Sequence, residues 1–299
     1  MNIQQLRTFV AVVEAGSFSS AARTLGVSQP AVSMQMQALE SDVGEPLLDR
    51  KHRRVDLTEA GRVLLPHARQ MLAASSRARA EIEGLAGEVT GDLTIALSTT
   101  PGDYIVPKLL GEFIARYPRV RVNLFVASTN EALEEVERGR ADVGMVGAKS
   151  RGAKVDFEQL GHDELVAICH PDSPLARERR VTLAEFATEP WVSRLSDSGT
   201  QSVLKSIFAD RGLAYDDLRI LVRLGTGEAV VSAVEGGLGV AVVSRFVAAK
   251  ALELGTVAEV PVEGFPYARP FYLISPRRTP SRATAAFVAH LRDRLADPR

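Results

Sequence analysis

The period of the apolar residues changes near position 90 of this 299-residue chain. Before that point apolar residues recur every three or four positions, which is typical of helices that bury one face. From the segment EVTGDLTIALS onward, short apolar runs typical of buried strands alternate with helical segments, in the order of βαβ units. The length exceeds that of a usual single domain, so we predict an α+β multidomain protein of two or three compact units.

The composition excludes several classes of protein. Hydrophobic residues make up 45% and charged residues 24% of the chain, which is typical of a globular protein and not of a disordered or fibrous one. No apolar run approaches the length of a membrane span, and the start MNIQQLRTF lacks the order of a secretory signal. We therefore expect a cytoplasmic protein with no membrane partner.

Cysteine and histidine form no metal-binding pattern in the sequence. Cys169 is the single cysteine, and the five histidines lie at no metal-ligand spacing with one another or with Cys169. Cys169 itself is read as a small buried hydrophobe in the apolar segment LVAIC. We predict no metal and no cofactor.

Three short helices are predicted before residue 44. The first covers residues 3–15 and is followed by Gly16, and the second starts near Ser17 or Ser19 and ends before Gly26. Ser28 is a plausible N-cap for the third helix, because Pro30 then falls in the first turn, where a missing N–H is harmless. This spacing predicts a helix-turn-helix, although an ordinary three-helix bundle would explain it as well.

The third helix has one apolar and one uncharged polar face. Val32, Met36, Leu39 and Val43 form the apolar stripe, and the opposite face carries Pro30, Ser33, Met34, Gln37 and Ser41. Such a hydrogen-bonding face without charges is expected of a helix that enters the major groove of DNA.

A basic cluster follows the third helix. The segment LLDRKHRRVDLT is predicted to form a short hairpin with a charged turn, which brings Arg50, Lys51, Arg53 and Arg54 near phosphates or the minor groove. Because the net charge of the chain is only −1, this local cluster and not a global basic field points to nucleic acid.

A long helix is predicted from Thr58 to about Val89. Its seam, with alternating spacings of four and three, consists of Leu64, Ala68, Met71, Ser75, Ala78, Ile82, Leu85 and Val89. We favour a linker helix shared by two chains, and a helix packed on its own domain is the alternative. Pro66 is expected to kink this helix.

The first 65 residues, taken together, resemble the winged helix-turn-helix of LysR-type transcriptional regulators. The resemblance rests on the motifs SFSSAA, SQPAVS, LE, PLLDR and LTEAG at their spacings in this chain. It implies a winged helix-turn-helix DNA-binding domain over 1–58, a linker helix over 59–89 and an α/β effector-binding domain over 90–299. The effector domain would consist of two periplasmic-binding-protein-like subdomains, about 90–163 with 266–299 and about 164–265.

The resemblance implies a sequence-specific transcriptional regulator whose DNA contacts respond to a small molecule. By position, Gln29, Pro30, Ser33 and Met34 would face the bases and Arg53 would lie at the wing. The predicted DNA-binding set is completed by Gln37, Arg50 and Arg54. Two residues depart from the family pattern: Met34, where the family is often basic or polar, offers only apolar contact, for example to a thymine methyl group, and Leu48 stands where the family commonly has Phe.

In the resembling fold the effector lies between the two subdomains, which the chain would connect near Asp163 and Phe265. Three polar turns at predicted helix starts supply hydroxyls and backbone N–H groups that favour an anion or carboxylate. The predicted effector-binding residues are Ser98, Thr99, Thr100, Ser128, Thr129, Arg194, Ser198 and Thr200. Helix capping alone would explain any one of these serines and threonines equally well.

The resemblance implies several partners: double-stranded promoter or operator DNA, a small anionic effector, a second copy or copies in a homodimer or homotetramer, and RNA polymerase. No catalytic motif is found, and Asp163 and Glu164 are interpreted as surface charges, so no enzyme is predicted. A solute-binding protein without DNA contact is the alternative.

Overall fold

The chain forms two compact units. The computed structural model describes residues 1–49, 55–84, 88–150, 152–196 and 198–295. One unit comprises Met1–Gly91 with Arg138–Arg140, and the other comprises Asp92–Glu137 with Ala141–Arg299. None of the described helices combines the length and apolar character that crossing a membrane requires.

The first unit contains helices and one small hairpin. Its elements are α1 (Ile3–Ala15), α2 (Phe18–Leu25), α3 (Gln29–Val43), β1 (Leu48–Asp49), β2 (Asp56–Leu57) and α4 (Glu59–Gly84). The predicted bounds of the first three helices are confirmed, because local capping fixes them. Ser17 and Ser28 accept hydrogen bonds from the N–H groups of Ser20 and Ala31, and Gly16 and Gly26 end the preceding helices with φ of 66° each.

The apolar stripe of α3 lies in the core of this unit, with one exception. Val32, Met36 and Leu39 are buried together with Leu6 and Phe9 of α1. The prediction that Val43 belongs to this stripe is wrong, since its side chain is exposed. Val43 is the last residue of α3, whereas the three buried residues of the stripe lie earlier in the helix.

The first half of the long helix α4 packs one side against the core of the first unit. Leu64, Ala68 and Met71 pack into the core of the first unit, so this part of the predicted seam is used within the chain, as the alternative interpretation has it. Ala78 is exposed, and Ile82 has 68% of its surface accessible. Leu85 lies outside the described residues. Val89 is not helical in the structure, so its assignment to the seam is wrong. The sequence shortly before it contains Gly84 and Gly87, and glycine is a poor helix former.

The predicted hairpin is present. Strands β1 and β2 pair antiparallel with Leu48 opposite Leu57 and Asp49 opposite Asp56. Leu47 and Leu48 are buried against the helices, which anchors the base of the hairpin on the core. The residues of its charged turn, 50–54, lie outside the described part of the chain.

The second unit alternates strands and helices, as the change of period predicts. Its strands are β3 (Gly91–Ser98), β4 (Val120–Ala127), β5 (Val143–Val146), β6 (Val155–Cys169), β7 (Trp191–Arg194), β8 (Ile220–Leu224), β9 (Ala241–Ser244), β10 (Ala258–Glu259) and β11 (Tyr267–Pro276). Its α-helices are α5 (Val106–Arg116), α6 (Thr129–Glu137), α7 (Leu183–Ala187), α8 (Gly199–Ala209), α9 (Gly227–Glu235), α10 (Arg245–Leu254) and α11 (Arg282–Leu295), with a π-helical turn at Pro101–Ile105.

Two long antiparallel strands run through the whole second unit. The main sheet has the order β10, β6, β11, β5, β3, β4, and β9 also pairs with β6. One lobe is built on β3, β4 and β5, and the other on β7, β8, β9 and β10, each with its own hydrophobic cluster. Strands β6 and β11 connect them, and at the connection Asp163 of β6 lies directly opposite Arg269 of β11.

Candidate effector pocket and DNA-reading helix

The predicted base-facing residues lie along the outer surface of α3. Gln29, Pro30 and Gln37 are exposed, and Met34 has 69% of its surface accessible. Ser33 is partly buried, and its Oγ accepts a hydrogen bond of 3.0 Å from Gln29 Nε2. The structure thus brings this part of the predicted set together on one helix face, whereas Arg50, Arg53 and Arg54 fall outside the described residues.

The second unit contains a small polar pocket between its two lobes, and this pocket is partly open to solvent. Every effector residue predicted from the sequence lines it. The lining residues are Ser98, Thr99, Thr100, Ala127, Ser128, Thr129, Gly147, Arg194, Ser198, Gly199, Thr200 and Arg269. The sequence interpretation missed four of them, Ala127, Gly147, Gly199 and Arg269.

Strand ends and helix starts place these residues. Ser98, Ala127 and Arg194 are the last residues of β3, β4 and β7, and Gly147 follows β5 directly. Helices α6 and α8 begin at Thr129 and Gly199, so their N-terminal ends lie at the pocket. Helix N-termini carry partial positive charge and N–H groups without a helical partner, and both features favour an anion.

A buried ion pair forms the floor of the pocket. Arg269 Nε and Nη2 donate to Asp163 Oδ2 over 2.9 and 2.6 Å, and Ser244 Oγ donates to Asp163 Oδ1 over 2.8 Å. Arg269 has only 3% and Asp163 1% of its surface accessible.

The interpretation of Asp163 as a surface charge is therefore wrong. Sequence neighbours alone cannot show that Arg269 lies opposite it on another strand. Glu164 does lie near the surface, where it pairs with Arg245 over 2.6 Å. A signal for Arg269 exists in the sequence, because strand alternation places it on the same face as the buried Phe271 and Leu273.

The guanidinium of Arg269 also reaches hydroxyls of both lobes. Its Nη1 donates to Thr200 Oγ1 over 3.2 Å, and its Nη2 donates to Thr100 Oγ1 over a long 3.5 Å. Thr100 follows β3 in the first lobe, and Thr200 lies in the first turn of α8 in the second. The absent side chain of Gly147 leaves room for this arginine, since a Cβ there would lie 3.3 Å from Arg269 Nη1.

Capping explains only part of the serine and threonine set. Ser128 is a helix cap: its Oγ accepts from the N–H of Glu131, and its own N–H donates to Glu131 Oε2, which lowers the pKa of Glu131. Ser198, by contrast, makes no capping bond with its side chain. Thr129 Oγ1 is buried and has no hydrogen-bond partner among the described residues. A buried hydroxyl of this kind is costly unless a ligand or water satisfies it.

Two further contacts lie near Arg194. Arg194 Nη2 donates to the carbonyl of Gly225 over 2.7 Å, and Tyr104 Oη donates to Glu228 Oε1 over 2.8 Å, which joins the π-helical turn of one lobe to α9 of the other. Burial and then this hydrogen bond raise the pKa of Tyr104. Burial and the charge of Glu228 raise the pKa of Asp103, and the charge of Arg194 opposes that shift.

No group of three or more His, Cys, Asp or Glu side chains in the described part of the chain could hold a metal ion. Cys169 is buried, as predicted, and burial raises the pKa of its thiol.

Comparison with known proteins identifies both units. Residues 3–62 match the family model of the bacterial regulatory helix-turn-helix protein, lysR family, and residues 86–296 match that of the LysR substrate binding domain. A probable RuBisCO transcriptional regulator of Cyanidioschyzon merolae is 37% identical over 95% of each chain.

Solved structures agree with this assignment. Full-length CbnR, complexed with its target DNA, is 27% identical and superposes with a TM-score of 0.72 over 98% of this chain and 99% of that one. The regulatory domain of Synechocystis CcmR, complexed with 2-PG, is 25% identical with a TM-score of 0.64 over 69% of this chain and 98% of that one. The chain belongs to the LysR family of transcriptional regulators, with an N-terminal DNA-binding helix-turn-helix and a C-terminal domain that binds a small-molecule effector.

Proposed function

We propose that this regulator binds a small oxyanion, a carboxylate or a phosphate ester, in the pocket between its lobes. The observation that carries the proposal is the convergence of two helix N-termini, several hydroxyls and Arg194 around one cavity, where Thr129 Oγ1 has no described partner. Every one of these groups can donate to an oxygen that carries negative charge. The ligand bound to the regulatory domain of CcmR, 2-phosphoglycolate, has this chemistry.

The effector-binding residues we propose are those predicted from the sequence. Thr100, Thr129 and Thr200 would donate through their hydroxyls, and Arg194 would supply charge. We propose that the pocket binds its ligand and does not catalyse a reaction.

For the DNA side, we propose that Gln29, Pro30, Ser33, Met34 and Gln37 meet base edges in the major groove. Arg50, Arg53 and Arg54 would contact the DNA backbone or the minor groove from the hairpin turn. A face of amide, hydroxyl and thioether groups has no charge to hold it on phosphates, so we expect it to discriminate between bases rather than supply most of the affinity. We also propose that the protein resides in the cytoplasm, together with the DNA that it binds.

The proposed assembly is a homodimer or a dimer of dimers that binds two half-sites, with residues 1–58, 59–89 and 90–299 as the functional divisions. We propose that the second chain packs along α4, where Ile82 of the predicted seam has 68% of its surface accessible. The effector acts by binding one arrangement of the assembly better than another, because equal affinity for both would shift nothing.

A footprint tests the regulator and the effector together. The full-length protein is titrated onto the DNA upstream of its own gene, without ligand and then with inorganic phosphate, 2-phosphoglycolate or glycolate. We expect protection of two symmetric half-sites, and a change in the protected length with an anion that binds. If the protected region stays the same at saturating concentrations of every anion that calorimetry shows to bind, effector control by this pocket is refuted.

The matched variants are Gln29→Ala and Gln4→Ala, which shorten exposed glutamines on α3 and α1. Loss of a good base contact is worth about 1–3 kcal/mol, so we expect Gln29→Ala to weaken specific binding about tenfold or more. Gln4→Ala is expected to leave it unchanged. Equal footprints for both variants would remove Gln29 from the DNA interface.

A further inference from the structure

The hydrogen bonds of Arg269 determine whether its neighbours act as donors or acceptors. Its guanidinium donates to Asp163 in its own sheet, to Thr200 in one lobe and to Thr100 in the other. All of these residues are almost completely buried, so water competes little for their polar atoms. The fork-shaped group can reach several acceptors at once because its N–H groups point in fixed directions.

Donor and acceptor roles follow from this geometry without ambiguity. A guanidinium only donates, so Thr100 Oγ1 and Thr200 Oγ1 must both accept from it. Each threonine hydroxyl has one proton of its own, and that proton cannot point toward the arginine. Because both threonines line the pocket, this proton is available to a ligand there.

We propose that Arg269 is a positioning residue that fixes the hydroxyls of Thr100 and Thr200 as hydrogen-bond donors toward the ligand, one from each lobe. This inference rests on the proposed binding of an oxyanion and explains how the pocket selects one. A ligand with acceptor oxygens accepts a hydrogen bond from each of the two hydroxyls. A ligand that places its own donors there cannot form these bonds, because donor protons would then face donor protons.

The charge of Arg269 is not what attracts the ligand. Asp163 lies 2.6 Å from Arg269 Nη2 and neutralises it, and Ser244 satisfies the other carboxylate oxygen. The ion pair therefore contributes directed N–H groups with no net charge. Hydrogen-bond direction and electrostatic attraction are thus separate properties of this pocket, and a variant can remove the first without changing the net charge.

The test separates hydrogen-bond direction from charge. The double variant Arg269→Met with Asp163→Asn keeps the net charge of the wild type and leaves an acceptor for Ser244, but removes every N–H that holds the two threonines. The affinity of the full-length protein for inorganic phosphate and for 2-phosphoglycolate is measured by calorimetry. We expect a loss of about tenfold or more, since each freed hydroxyl can turn away from the ligand.

A thermodynamic cycle excludes a merely structural role. Thr100→Val is made in the wild type and in the double variant, and Thr100→Ser serves as the control that keeps the hydroxyl. If Arg269 directs this hydroxyl, Thr100→Val costs about tenfold in the wild type and much less in the double variant. A protein that is only loosened by the double variant would show the same cost for Thr100→Val in both backgrounds.

Arg269→Lys covers the case in which the double variant fails to fold. A lysine keeps the charge opposite Asp163 but lacks the planar fork, so it is expected to fold and still bind the anion more weakly than the wild type. Wild-type affinity in a folded double variant or in Arg269→Lys overturns this inference alone. If wild-type protein binds none of the anions, the proposed effector class fails with it.

Discussion

Asp163 and Glu164 are neighbours on β6 with the same charge and opposite environments. Asp163 faces the interior and pairs with Arg269, whereas Glu164 faces the surface and pairs with Arg245. Strand alternation sends consecutive side chains to opposite faces of the sheet, so a single step along the chain separates a structural ion pair from a solvated one. The free energy of unfolding should respond to these two residues very differently.

We expect Asp163→Ala to destabilise the protein by about 3–5 kcal/mol, because it leaves the Arg269 charge buried without its partner. Glu164→Ala removes a partly exposed carboxylate and is expected to cost no more than about 1 kcal/mol. Denaturant unfolding of the two variants beside the wild type measures the difference. Similar losses of stability in both variants would show that leaving Arg269 buried without Asp163 does not destabilise the protein as expected.

Gly199 is required by close approach and not by its backbone angle. A Cβ at this position would lie 2.8 Å from Thr129 Oγ1, and the two residues start α8 and α6 on opposite lobes of the pocket. Gly199→Ala should therefore displace the Thr129 hydroxyl from its place in the pocket and weaken anion binding about tenfold.

The control for Gly199→Ala is Gly111→Ala on α5, where a new Cβ meets nothing within 4 Å. Alanine in an exposed helix is expected to stabilise the protein by about 0.5–1 kcal/mol and to leave binding unchanged. Calorimetric titration with inorganic phosphate, together with thermal unfolding, gives both quantities. Unaltered phosphate affinity in Gly199→Ala would show that the pocket tolerates the extra methyl group.

Among the elements, α4 differs most between its two halves. Its first half completes the core of the DNA-binding unit through Leu64, Ala68 and Met71. Its second half exposes the apolar side chain of Ile82 to water, which is unfavourable compared with burying it. Apolar residues at this spacing thus pack within one chain at the start of the helix. We propose that at its end they pack against the same helix of a second chain.

We expect Ile82→Asp to weaken self-association strongly, because a charge in an apolar helix seam must lose its hydration on pairing. Leu254→Asp, at the end of α10, changes an equally exposed residue, with 66% of its surface accessible, and is the matched control. Sedimentation velocity over a range of protein concentrations reports the oligomer. A dimer that persists unchanged in Ile82→Asp would place the second chain elsewhere.

At the scale of the molecule, the two lobes of the effector domain are joined in two ways. Strands β6 and β11 connect them covalently. Side-chain hydrogen bonds also connect them, namely those of Arg269 to Thr100 and Thr200 and the one between Tyr104 and Glu228. Because the Tyr104–Glu228 bond spans the two lobes, it stabilises the arrangement in which they lie close together.

We expect Tyr104→Phe to raise the dissociation rate of a bound anion about fivefold, since a hydrogen bond to a charged group that is partly exposed is worth about 1 kcal/mol. Tyr117→Phe removes the same atom beyond the end of α5 and is expected to have no effect. Stopped-flow displacement of 2-phosphoglycolate measures both rates. Equal rates would show that the Tyr104–Glu228 bond does not hold the lobes together.

The sequence alone determined the helix-turn-helix, the hairpin and the candidate effector residues, because each depends on local features. Capping residues such as Ser17 and Ser28, turn glycines such as Gly16 and polar turns such as SDSGTQ act within a few positions, and their effect can be read from neighbours. The ends of strands and the starts of helices then bring Ser98, Thr129 and Thr200 to one place.

Only the tertiary structure decided the floor of that pocket. Asp163 and Arg269 are far apart in the chain, and each looks like an ordinary surface charge until the register of β6 and β11 sets them opposite each other. The same holds for Val43, whose apolar side chain fits the helical stripe but lies exposed at the end of α3. Local free energies select the elements of this protein, whereas burial and pairing depend on what another part of the chain places alongside them.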